Sequence, residues 1–283
     1  MGVVNVTPDS FSDGGRWFDH GRAVAHARNL LAEGADIVDV GGESTRPGAQ
    51  PVAEAEELRR VIPVIEALAG EATVSIDTRK WRVAEAALGA GATIINDVSA
   101  TLFEVAAAGG AGWVAMHARA DPATMQAHTR YDEVVGEVGD YLVAAAARAA
   151  AAGVERIWID PGIGFAKTAA QNLTLLRHLD RFVGTGWDVA IGTSRKSFLG
   201  TLSAGPGQDP LPPGARLEAS LATAVWAIVA GVAMVRAHDV AATVGAVRLA
   251  GGLRRGAGGA VGSGVVSGAG SGVVSGAGSG VVA

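Results

Sequence analysis

The sequence predicts a (β/α)8 (TIM) barrel, a closed ring of eight parallel strands alternating with helices. Eight short apolar, β-branched runs occur in order, at 3–5, 36–40, 73–77, 93–97, 113–117, 156–160, 189–194 and 234–239. Near-continuous runs of this length suit parallel strands covered on both faces. Helix-patterned segments separate them, at 19–33, 53–69, 80–90, 102–108, 131–152, 169–182, 216–230 and 240–250. Such alternation folds into a parallel sheet with right-handed crossovers. Most of the runs also end on a polar residue, and no GxGxxG follows the first, which counts against an open dinucleotide-binding sheet.

The first run, Val3-Val4-Asn5, breaks at Pro8 into a loop dense in hydroxyls and carboxylates, closed by Gly14-Gly15. Farther along, Gly34, Gly91, Gly153 and Gly231 each follow an Ala-rich helical run and precede the next strand, as C-cap glycines do. Thr168 with Gln171 three residues on forms a capping-box pattern that starts a helix. After Gly251 the chain changes to Gly, Ser, Ala and Val, with no charge beyond Arg255 and no helical period. Residues 1–250 therefore read as one barrel domain and 251–283 as a flexible low-complexity tail. Met1 lies almost directly on the first strand, so no leading element is at hand to plug the barrel floor.

Composition narrows the function classes. The 283 residues are 49% apolar, ample for a large core, and the net charge of −5 offers no general attraction for nucleic acid or acidic membranes. Without cysteine, disulfides and thiolate metal sites are excluded. No unbroken apolar run reaches the roughly 18 residues of a membrane span, and no cationic signal peptide is present, so a soluble cytoplasmic protein is expected.

In a barrel the chemistry sits where strands end. Here the strand ends carry Asn5, the segment GGESTRPG at 41–48, Asp77, Asn96 with Asp97, His117, Asp160, Ser194-Arg195-Lys196, and Arg236 with His238 and Asp239. Taken singly, an Asp at a strand end is a turn or helix cap. Their convergence on one mouth is the signal. Asp77, Asn96 and Asp160 supply acceptors and donors suited to a flat heterocycle rich in N–H groups. Lys196, Arg236, His238 and Arg46 supply the cations a phosphate or carboxylate needs, and Ser197 opens the helix after Lys196, where backbone N–H groups attract anions. One ligand with a polar ring and an anionic end fits both sets.

These segments resemble dihydropteroate synthase. The resemblance rests on GVVNVTPDSFSDGG at 2–15 and GGESTRPG at 41–48, followed in the family's order by SIDT at 75–78, INDV at 95–98, DPGIGFAK at 160–167, TSRKS at 193–197 and RAHDV at 236–240. It implies a barrel that joins 4-aminobenzoate to (7,8-dihydropterin-6-yl)methyl diphosphate, releasing diphosphate and making 7,8-dihydropteroate for folate. It further implies that Asp77, Asn96, Asp160 and Lys196 hold the pterin, with Met116 and Phe165 lining its pocket. Arg236 would stack on the pterin and, with His238, Asn5 and Arg46, bind the diphosphate. Asn5 matches the family's Mg2+ ligand, and Ser197 a residue that meets the aminobenzoate carboxylate. Thr45, Arg46 and Pro47 belong to the second of two mobile loops, 7–20 and 43–50, whose closure would exclude water. Asp13 from the first loop, with Asp77 and Asp160, would stabilise a pterin-methylene cation. The family also implies a homodimer built through barrel helices, for which Trp226 and Ile228 are candidates. One departure stands out: after Asn96-Asp97-Val98-Ser99 the chain passes at once to Ala100-Thr101-Leu102, leaving a short loop. A non-catalytic pterin-binding paralogue and a pterin-dependent methyltransferase are the rival readings.

Overall fold

The computed structural model describes residues 1–7, 20–45, 48–121 and 123–255. Its strands are β1 (Gly2–Asn5), β2 (Ile37–Gly41), β3 (Thr73–Asp77), β4 (Ile94–Asp97), β5 (Gly112–Met116), β6 (Ile157–Asp160), β7 (Asp188–Gly192) and β8 (Met234–Arg236). They pair in sequence order, all parallel. A parallel bridge between Gly2 and Ala237 closes the ring: Val3 N donates to Ala237 O at 3.2 Å and Ala237 N to Met1 O at 3.0 Å. The helices are α1 (His20–Ala32), α2 (Glu54–Leu68), α3 (Trp81–Gly89), α4 (Phe103–Ala108), α5 (Val134–Ala151), α6 (Ala169–Arg177), α7 (Leu179–Val183), α8 (Ser197–Ser203), α9 (Leu217–Ala230) and α10 (Val240–Arg255).

Two apolar layers hold this arrangement. Outward-facing strand residues such as Val4, Val38, Val40, Ile76, Ile95 and Ile159 pack against the helices, where Ala84, Ala87, Ala145, Ala146 and Ala149 let helix and sheet approach closely. Inside the ring, Ile94, Val114, Ala190 and Met234 form a second cluster, joined by Met1, Ile37 and Trp158. Met1 thus fills part of the floor itself, and its ammonium donates to Val235 O at 3.0 Å.

Alternation along each strand then decides what lies above that floor. Ile37 is followed inward by Asp39 and Gly41, Ile94 by Asn96, Val114 by Met116, Trp158 by Asp160 and Met234 by Arg236. The register places Asn5 beside Gly41, Gly41 beside Asp77, and Asp77 beside Asn96. Parallel pairing alone therefore lines up three of the expected site residues.

Several boundaries differ from the expected ones. The helix expected over 169–182 breaks at His178, whose φ of −108° and ψ of 31° interrupt the helical path. The last helix runs to Arg255, past the helix end expected at 250, because Ala-, Leu- and Arg-rich residues outweigh the Gly251-Gly252 pair. Gly34, Gly91, Gly153 and Gly231 adopt left-handed φ of 98° to 110°, as C-caps require. Among the described residues no helix is long and apolar enough to cross a membrane.

Gly112 tests the inner layer. A Cβ built there would stand 2.8 Å from the Trp158 ring. Gly112→Val should therefore destabilise the fold by about 2 kcal/mol through overpacking, read as a lower midpoint in urea. An unchanged midpoint would show that the floor is not packed as described.

Candidate active site

The site is built around Arg236, whose guanidinium forks between two buried carboxylates. Its Nε donates to Asp39 Oδ2 at 2.6 Å and its Nη2 to Asp77 Oδ2 at 2.8 Å. Asn96 Nδ2 donates to the same Asp39 oxygen at 3.0 Å. Burial opposes the charge on Arg236, but Asp39 and Asp77 outweigh it and raise its pKa. Asp77 moves the other way from an ordinary acid. Burial lifts its pKa to about 7, with Arg236 pulling down and Asp39 pushing up.

This group is under-satisfied. Asp39 Oδ1, Ser75 Oγ and Asp77 Oδ1 are buried without a hydrogen-bond partner among the described residues. A buried acceptor left unpaired costs about 1–3 kcal/mol, so these atoms favour any ligand that brings N–H groups to them.

Opposite stands a second pair. Asp160 accepts from Gly162 N at 2.7 Å, and burial raises its pKa, with Lys196 as the main opposing charge. Lys196 Nζ donates to Ile163 O and lies 4.8 Å from the Phe165 ring centroid. Burial lowers its pKa to about 8, Asp160 opposing. Gly164, at φ 85°, makes room for this lysine: a Cβ there would meet Lys196 Cδ at 3.1 Å.

The remaining expected residues fall around this core. Met116 is buried beside Asp160 in the register, and Asn5 ends β1 half-exposed. His238 is fixed by Ser194, whose Oγ lies 3.0 Å from His238 Nδ1 and accepts from His238 N at 3.1 Å. Ser197 is the exposed first residue of α8, and Thr45 is half-buried after β2. Asp13, Arg46 and Pro47 lie outside the described residues. Just before them Glu43 is braced: it accepts from Val52 N at 2.7 Å, Arg79 Nε at 3.0 Å and Lys80 Nζ at 2.6 Å.

Three polar residues in or just after strands take roles not foreseen. Asp97 braces the turn before α4, accepting from Thr101 N and Leu102 N at 2.7 Å and from Trp113 Nε1 at 3.1 Å. Arg195 pairs with Asp239 instead of joining the cluster. Asp39 was not among the expected site residues. Its signal is an acid in the middle of the apolar run Ile37-Val38-Asp39-Val40, where burial demands a charged partner.

The Asp77 titration is measurable through stability. Its folded pKa of about 7 exceeds the unfolded value near 3.9, so its contribution is full below about pH 4 and is lost as pH rises to 7. The urea midpoint of the wild type should fall relative to that of Asp77→Asn across that window and run parallel to it above. A gap independent of pH would contradict the burial of this carboxylate.

Residues 1–238 match the family model described as pterin binding enzyme. The dihydropteroate synthase of Synechocystis is 44% identical over 264 residues, covering 90% of each chain. Among solved structures, dihydropteroate synthase from Clostridium difficile, determined in the presence of pteroic acid, superposes with a TM-score of 0.82 at 41% identity, covering 90% of this chain and 96% of that one. The Xanthomonas albilineans dihydropteroate synthase with 4-aminobenzoic acid gives a TM-score of 0.80 at 45% identity, covering 88% of this chain and 90% of that one. With the barrel, the strand-end cluster and these likenesses in agreement, the chain belongs to the pterin-binding enzymes, and among them to the dihydropteroate synthase family.

Proposed function

We propose that this protein condenses (7,8-dihydropterin-6-yl)methyl diphosphate with 4-aminobenzoate to give 7,8-dihydropteroate and diphosphate. The observation that carries the reading is the pairing of unsatisfied buried carboxylate oxygens with two cations in one barrel mouth. A pterin ring presents N–H donors on one edge and carbonyl and ring-nitrogen acceptors on another. Asp77, Asn96 and Asp160 answer the donors, and Lys196 answers an acceptor. Met116 and Phe165 cover the ring's faces, while Arg236 and His238 take the diphosphate, with Arg46 and Thr45 from the second loop and Ser197 at the aminobenzoate carboxylate.

In the reaction the C–O bond between methylene and diphosphate breaks, the aniline nitrogen forms the new C–N bond, and it releases one proton. Asp77 and Asp160, with Asp13, offset positive charge as it develops on the pterin methylene. An aniline nitrogen is nucleophilic when neutral, so no strong base is required. Asn5 fits a Mg2+ role by its chemistry: it is a hard amide oxygen donor in the register row of Asp77, and Mg2+ binds through few protein ligands plus substrate phosphates. Bound there, Mg2+ would neutralise the departing diphosphate. The intact loop segments TPDSFSDGG at 7–15 and GGESTRPG at 41–48, with Lys196 and Arg236 both present, favour turnover over a silent pterin-binding paralogue.

We also propose a homodimer. Trp226 and Val229 on α9 are each 50% exposed, and Leu249 and Leu253 on the adjacent α10 are 68% and 74% exposed. Ile228 is only half-buried on the same helix. Light scattering should report twice the 28.4 kDa chain mass, and a monomer at micromolar concentration would remove this proposal.

Release of diphosphate from the two substrates in the presence of Mg2+ tests the activity. Lys196→Ala and Asp77→Ala should each reduce turnover by on the order of 100-fold with the circular dichroism spectrum unchanged. Near wild-type turnover in either variant would show the role assignments to be wrong.

A further inference from the structure

The turn after β6 is unusual in its backbone. Within DPGIGFAK at 160–167, Gly162, Gly164 and Ala166 all adopt left-handed φ, of 66°, 85° and 50°. The non-glycine Ala166 alone costs roughly 1–2 kcal/mol in this region. The turn also presses on its neighbour: a Cβ at Gly162 would stand 2.0 Å from His117 O. Something must hold so contorted a segment in one shape.

Lys167 does so from inside. It is only 3% exposed, burial lowers its pKa to about 7, and its Nζ has three close partners. Nζ donates to Phe165 O at 3.0 Å and Gly162 O at 3.1 Å, and lies 3.0 Å from His117 Nδ1, with His117 O farther off at 3.4 Å. His117 is suited to accept. Burial lowers its pKa to about 3, with the Lys167 charge adding to the effect, so the imidazole is neutral. Its ring packs edge-on against Tyr141 at 5.1 Å, which fixes its orientation. From the outer side Asn172 on α6 accepts from Gly164 N at 2.8 Å.

The anchored carbonyls bracket the functional part of the turn. Gly162 and Phe165 are tied to Lys167, and between them Ile163 O accepts the Nζ of Lys196. The Gly162 N–H binds Asp160, and Phe165 lies against Lys196. We infer that Lys167 is a positioning residue for the pterin subsite: by holding Gly162 and Phe165 it sets the geometry of Asp160, Phe165 and Lys196 without touching substrate. This rests on the functional reading above. A lysine serving only general stability would have no selective effect on one substrate.

Lys167→Met keeps the chain length and removes the donors. Expected are at least tenfold weaker binding of 6-hydroxymethylpterin by calorimetry and an unchanged KM for 4-aminobenzoate at saturating pterin diphosphate. His117→Phe, which takes away one partner and leaves two, should weaken pterin binding in the same direction by a smaller factor, and it decides the matter if Lys167→Met does not fold. Wild-type pterin affinity in either folded variant, or equal losses for both substrates, overturns the inference while wild-type condensation leaves the function standing. A wild type that neither binds pterin nor condenses overturns both.

Discussion

Carboxylates kept dry inside the barrel are the constraint to which the rest of the structure answers. Asp39 is completely buried and Asp77 and Asp160 nearly so. Charges so placed are tolerable only when a cation and hydrogen-bond donors reach them. Arg236 spans Asp39 and Asp77 from β8, on the opposite side of the chain's sequence but adjacent in the closed ring. Ring closure and charge compensation are therefore one requirement: without β8 beside β1, Arg236 could not reach across to β2 and β3. The same logic explains the apolar floor of Ile94, Val114, Ala190 and Met234, which seals the carboxylates from water at the other end.

Much of this was legible in the sequence. Each strand announces itself as a short apolar run, and the glycines after α1, α3, α5 and α9 mark where each helix must turn back, because left-handed φ is easy only for glycine. Residues at strand ends converge wherever strands are parallel and closed, so Asn5, Asp77, Asn96 and Asp160 could be placed without coordinates. Side-chain pairing was less legible. Asp97 ends β4 and Arg195 follows β7 closely, yet one ties down the turn before α4 and the other pairs with Asp239. Parity separates them from true mouth residues: Asn96 continues the inward row of Ile94, whereas Asp97 faces the helices and Trp113. Asp39 lies mid-strand, where only its charge in an apolar run betrays it. Helix ends were the least legible, since Gly251-Gly252 lowers helix propensity without forbidding helix.

The two cations of the site differ in kind, and the difference matters for a substrate that must enter and leave. Arg236 remains charged at any working pH and acts as a fixed fork. Lys196, whose pKa burial lowers to about 8, carries three donors on a flexible stem and spends one on Ile163 O, so a ligand can engage the others. A rigid guanidinium holding acids in place, beside a lysine whose partners can be exchanged, gives a pocket that is preorganised yet not locked.

The unpaired oxygens complete this balance between stability and binding. Asp77 Oδ1 and Asp39 Oδ1 would each be better solvated in the unfolded chain, so their burial costs the fold free energy that the outer core of Val, Ile, Leu and Ala must offset. A ligand that donates to Asp77 removes part of that cost on binding, and the same burial that raises its pKa strengthens the hydrogen bond once made. An apolar side chain at position 77 would remove the unpaired oxygen and the recognition together, and would leave Arg236 Nη2 without its acceptor. The barrel is therefore less stable than its core alone would allow, at the place where a donor-rich ring can make up the difference.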